Sequence, residues 1–136
     1  VAAQFRSRIE KLQRAAVLEL FSSVIKSTPV DTGRLRGNWQ ATMGAPASGV
    51  VEVLAGATTP KGTVPPELES QVGAVVAKLS GDGSVYLANN LPYAARIEFE
   101  GHSKQAPRGM VRVNLVRIAN NLRRMIAKKG WGADVA

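Results

Sequence analysis

The chain has 136 residues, enough to bury roughly two-thirds of its unfolded surface in one modest core, and this length favours one domain over two. Hydrophobic residues make up 45% and charged residues 21%, an ordinary globular balance, and with no cysteine both disulfides and thiolate metal sites are excluded. No run approaches the ~18 apolar residues of a membrane span, and the N-terminus lacks the basic-then-apolar pattern of a secretory leader. The formal net charge of +8 is unevenly placed. Residues 1–36 carry seven Lys/Arg against three acids, residues 37–100 three against six, and residues 101–136 eight against one. A C-terminal segment that basic suits a polyanionic neighbour, an acidic protein surface or simply a solvated helix face.

In chain order, Phe5, Ile9, Leu12, Ala16, Leu20 and Val24 recur at spacings of three and four between Ala2 and Ser27, with Val17 and Phe21 widening the stripe. That period predicts an amphipathic helix, which Pro29 ends by supplying no N–H and pushing Thr28 out of helical geometry. A helix of about 24 residues spans ~36 Å, long for so small a domain, so part of it is expected to project toward a partner. Asp31 is expected to cap a short helical turn through Thr32, Gly33 and Arg34. Residues 38–45 and 49–55 read as the two strands of a hairpin about "PASG". The stretch "GATTPKGTVPP" is a loop by composition.

Pro65 and Pro66 lead into Leu68, Val72, Val75, Val76 and Leu79 at helical spacing, although "GAVVAKL" also suits a strand. Gly81-Asp82-Gly83 punctuates, "SVYLANN" reads as a strand, and Pro92-Tyr93 turns the chain after it. The last helix is predicted from Arg108 to Lys129 on Val111, Leu115, Ile118, Leu122 and either Met125 or Ile126, closed by Lys128, Lys129 and Gly130. The expected fold class is α+β: a long N-terminal helix and a basic C-terminal helix packed on a small, mainly antiparallel sheet, with a middle helix. It forms one domain over residues 1–129, with residues 130–136 a loose tail.

Signals for chemistry are weak. His102 is the sole histidine and sits in the polar loop "EGHSKQAP" without a nucleophile motif or an orienting acid. Glu67 with Glu69, and Glu98 with Glu100, share a face only on a strand, and no aromatic cluster adjoins either pair. Gly81 and Gly83 lack the Lys-Ser/Thr pair or full glycine spacing of a phosphate loop. No catalytic, cofactor or metal residue is assigned. The basic run Arg108, Arg112, Arg117, Arg123, Arg124, Lys128 and Lys129 has no acid among it and makes sequence-independent nucleic-acid binding the main alternative. No aromatic interleaves with it before Trp131, so stacking on single strands is poorly served.

Two stretches belong together: "PVDTGRLRGNW" at 29–39 and "VYLANNLPYAARIEFEGHSKQAPRGMVRVNL" at 85–115. Both resemble the tail-completion, or neck, proteins of long-tailed bacteriophages, the minor tail protein Z-like family. The matching positions are Val30 to Arg36, Asn90 to Ala94, Glu98, Gly101, and Pro107 to Arg112. "EFEGHS" departs from the family's more usual Glu-aromatic-Gly through Glu100. The resemblance implies a structural virion protein of α+β fold at the head-proximal end of a tail. It implies a homo-oligomeric, sixfold ring that completes the tail and joins it to the capsid. Its partners would be the tail tube or tail terminator protein and the head–tail connector protein, with phage DNA nearby. It would assemble in the host cytoplasm, and the family implies no enzymatic activity and no cofactor.

On this reading Asp31, Thr32, Arg34, Arg36, Trp39, Tyr93, Glu98, Arg108, Met110 and Arg112 are candidates for subunit or partner contacts. Asp31 and Thr32 can accept from following backbone N–H groups, Gly33 eases a turn, and Leu35 is the expected buried peg. Arg34 or Arg36 is expected to pair with Glu98, within the subunit or across an interface. Tyr93 is expected to pack its ring and find a partner for its hydroxyl. Pro107 to Met110 is expected to open the last helix, with Met110 an adaptable apolar contact. Trp39 suits either the core or a subunit contact.

Overall fold

The computed structural model describes residues 2–53 and 60–129. Among them, α1 (Ala2–Ser27) is followed by α2 (Arg34–Gly37), β1 (Trp39–Met43), α3 (Pro66–Ala77), β2 (Val85–Asn89), α4 (Ala94–Phe99) and α5 (Arg112–Lys129). The architecture is α+β, with helices packed about a two-stranded antiparallel sheet.

The apolar stripe of α1 is buried only near its C-terminal end, where Phe21, Val24 and Ile25 join Leu68, Val72 and Val76 of α3 in the core. Phe5, Ile9 and Leu12 are half-covered, less buried than the C-terminal end of the stripe. α1 packs on both α3 and α5, and α3 also packs on β1. The two helices approach α1 from different sides. Arg14 Nε donates to the carbonyl of Leu79 beyond α3 (2.8 Å), whereas Asn114 and Arg117 of α5 donate to Ser27 Oγ (2.9 Å) and Ser23 Oγ (2.9 Å). Arg14 and Ser23 lie roughly 180° apart around the helix at ~100° per residue.

β1 does not pair with the segment after "PASG" as the sequence suggested; its partner is β2, in a register running from Trp39↔Asn89 to Met43↔Val85. Residues 50–53 form no strand. The buried Asn38 side chain accepts from Val51 N (2.7 Å) and donates to Val51 O (3.0 Å), so the backbone groups a ladder would need are taken by one amide. Residues 54 and 55 of the expected strand lie outside the described residues, as do 56–59 of the expected loop and the tail 130–136. "GAVVAKL" resolves as helix through Ala77, because Leu68, Val72 and Val76 share one buried face.

Three further expectations change. Asp31 does not cap α2: the N-cap residue is Gly33, and Thr32 Oγ1 accepts from Arg34 N at 3.3 Å. Residues 94–99 form a short helix that periodicity did not announce, so Glu98 and Glu100 do not share a strand face. The last helix starts at Arg112 and not in the Pro107–Met110 segment, whose backbone turns at Gly109 with φ +90°.

Trp39 belongs to the core. Its Nε1 donates to Thr28 Oγ1 (2.8 Å), and that hydroxyl donates to Val24 O (2.8 Å), which ties the end of α1 to β1. Replacing Trp39 by Phe should therefore cost about 1 kcal/mol beyond the effect of lost ring area, and a double-mutant cycle with Thr28→Val by denaturant unfolding should recover that coupling.

Candidate functional site

The segment 28–39 is held by side chains reaching back to main chain. Val30 N donates to Gln105 Oε1 (3.0 Å) and Gln105 Nε2 donates to Val30 O (3.3 Å), so the loop after α1 is clamped to the loop before α5. Gly33 adopts φ 86°, which only glycine takes without strain, and this lets Gly37 N close on Gly33 O at 2.9 Å. Leu35 is the buried peg expected of it. Asn89 Nδ2, at the end of β2, donates to Leu35 O (2.8 Å), and Asn38 Nδ2 donates to Arg34 O (2.7 Å).

The two arginines flanking Leu35 part company. Arg34 is exposed, whereas Arg36 is only 2% exposed and donates from Nη1 to Pro60 O (2.8 Å) and Thr63 Oγ1 (3.3 Å). Burial lowers its pKa from the ordinary arginine value. Neither arginine pairs with Glu98 within the chain. Each oxygen of that carboxylate accepts two bonds: Oε1 from Met110 N and Val111 N, both at 2.7 Å, and Oε2 from Arg112 N (3.1 Å) and Arg112 Nε (3.0 Å). Within the chain the four acceptor positions of the carboxylate are thereby filled.

Glu98 is thus the cap of α5, supplied from α4 across the intervening loop. Burial pushes its pKa up, but the N–H groups of Val111, Met110 and Arg112 and the Arg112 side chain outweigh that and hold the carboxyl below its usual range. Gly109 makes the approach possible, because a Cβ there would lie 2.7 Å from Glu98 O and 2.8 Å from Oε2. Arg112 also donates from Nη2 to Glu98 O (2.5 Å) and stacks over the Phe99 ring at 4.7 Å.

The remaining candidates divide by burial. Met110 and Trp39 are core residues. The Tyr93 ring packs against the core, but among the described residues its hydroxyl has no hydrogen-bond partner, contrary to expectation. Asp31, Thr32, Arg34 and Tyr93 line an open cleft of about 430 Å³ with Leu35, Ile97 and residues 102–105, so both motif stretches face one hollow. Arg108 is exposed and lines a shallower hollow of about 340 Å³ with Lys26 and Lys61. His102 is exposed on the rim of the first, and no acid among the described residues hydrogen-bonds to it. No group of three or more His, Asp or Glu among the described residues lies together to hold a metal.

Sequence reasoning passed over the asparagines. Asn38 is fully buried, and Asn114, 6% exposed within α5, donates to Met110 O (2.6 Å) and Ser27 Oγ (2.9 Å). Asn90 donates to Ala47 O and Gly49 O, both at 2.9 Å. The available signal was a poor helix former, Asn114, on the apolar stripe of a predicted helix. In comparisons with known proteins, the chain matches no family model, no curated protein and no solved structure.

Proposed function

We propose that this chain is an architectural protein of a phage virion, forming a ring at the head-proximal end of a tail and joining the completed tail to the capsid connector. The observation that carries the reading is where the two resembling stretches lie in the fold. The two quoted stretches, 29–39 and 85–115, meet through the reciprocal Val30–Gln105 bonds and the Asn89–Leu35 bond, and the Glu98 cap holds the second stretch together. Residues with special demands are thus used to hold loops and helix ends in place, the requirement of a part that must present a fixed surface to neighbours. Bond-making chemistry finds no comparable support, since no acid among the described residues hydrogen-bonds to the exposed His102.

The test is the mass of the purified chain in solution, with and without tail-tube protein, at low and high salt. A ring of about six subunits, or a monomer that assembles only on tubes, is the expected result. A monomer that ignores tubes but binds duplex DNA, weakening steeply as salt rises, would overturn it. That outcome would assign function to the basic C-terminal helix, where Arg123 and Arg124 hydrogen-bond only to Asn120 and Asn121 among the described residues.

A further inference from the structure

Two exposed apolar patches of opposite charge lie on different elements of the fold. The first is on α5. Asn114 and Ile118 mark its buried stripe, while Val113 and Val116 lie roughly 150° around the helix from it. Val116 is 61% exposed, and Phe99, stacked on Arg112 at the start of α5, is 66% exposed. Arg123 and Arg124 continue the two edges of this face, and α5 contains no acid. An apolar centre with an arginine rim is the composition of a protein contact.

The second patch is the turn after β1, where Met43, Val50 (53% exposed) and Val51 stand in solvent beside the exposed Glu52. This turn is pinned by Asn38 to Val51 on both polar groups, by Gln40 Nε2 to Gly49 O (3.0 Å), and by Asn90 to Ala47 O and Gly49 O. A loop held that firmly with its valines outward is preorganised for contact. α3, which packs on β1, carries the exposed Glu67 and Glu69 in its first turn, and none of these three acids has an ion pair among the described residues.

We infer that the α5 face of one copy docks on the 43–52 turn and α3 acids of the next. This rests on the assembly reading above and names its surfaces. The occupant is a second copy because the two patches are complementary: both offer apolar area, one carries arginines and the other carboxylates. Because the two patches are different surfaces, the contact is head-to-tail, which closes into a ring when its rotation allows.

The chain has no cysteine, so introduced thiols report this contact directly. A variant carrying both Val51→Cys and Val116→Cys, oxidised in the assembled state, should give a ladder of covalent multimers on a non-reducing gel. Either substitution alone should stop at the monomer or dimer. Arg123→Glu with Arg124→Glu should weaken assembly by about tenfold or more, and adding Glu52→Lys and Glu69→Lys to the same chain should restore most of it. A native ring with no ladder and no response to charge reversal overturns the assigned surfaces and leaves the ring reading standing. A wild-type chain that stays monomeric even with tubes overturns both.

Discussion

Replacing Glu98 by alanine should cost about 3–5 kcal/mol and free the start of α5 from the rest of the fold. The truncation strands the N–H groups of Met110, Val111 and Arg112, the first of them buried, and removes the only ion pair of Arg112 among the described residues. Glu98→Gln keeps the shape but loses the charge and one acceptor oxygen, so about 2 kcal/mol is expected. Denaturant unfolding gives both values. Amide hydrogen exchange localises the effect, with protection falling first at residues 110–112 and in the first turn of α5.

The same carboxylate sets a pH dependence of known sign. Its folded pKa lies below the ordinary value despite burial, so the folded state holds this proton less tightly than the unfolded one. The stabilisation is complete above the unfolded carboxyl pKa of about 4.3 and is lost as pH falls through the lower folded value. The stability gap between wild type and Glu98→Gln should therefore be constant near neutrality and shrink in acid. A gap that stays unchanged down to the acid transition would rule out Glu98 as the charged cap.

Gly109→Ala should be nearly as damaging, at about 2–4 kcal/mol, for a reason independent of charge. The residue sits at φ +90°, where a side chain is strained, and its Cβ would press on the backbone oxygen and carboxylate of Glu98 at 2.7 and 2.8 Å. Gly44→Ala separates these causes. Gly44 has φ +85° with nothing within 4 Å of the added atom, so it should show the conformational cost alone, about 1 kcal/mol. Thermal melts of the two variants measure the difference. If both lose the same amount, the Gly109–Glu98 contact is looser than described and the cap is less dependent on it. Because the two sites touch, Gly109→Ala combined with Glu98→Ala should fall well short of additivity.

The long helices were legible because their signal is local. Phe21, Val24 and Ile25 on α1, and Leu68, Val72 and Val76 on α3, repeat with the turn of a helix, and any helix burying one face needs that repeat. β2 was legible for the same kind of reason, and Gly33 followed from the demand of a tight turn. The pairing of β1 was not. Strand partners are chosen between distant segments: "VVEVLA" was read as the hairpin partner of β1, but Asn38 takes both backbone groups of Val51 and β1 pairs with β2. The start of α5 was misplaced because its cap comes from residue 98 and not from the preceding turn.

Composition, the absence of cysteine, the uneven charge and the stripes of α1 and α3 were determined by the sequence alone, since each depends on residue type and near-neighbour spacing; on α5 the expected stripe residues Leu115 and Met125 are exposed, and Asn114 is buried beside Ile118. What Arg36, Trp39 and Glu98 do was decided only by tertiary structure. Each had been a candidate for contacts with a neighbour, and each is spent inside its own chain: Arg36 on Pro60 and Thr63, Trp39 on Thr28, Glu98 on the head of α5. The physical reason is the cost of burying a polar group without a partner. Residue type announces that a partner is required, but only the packed chain determines which group it is.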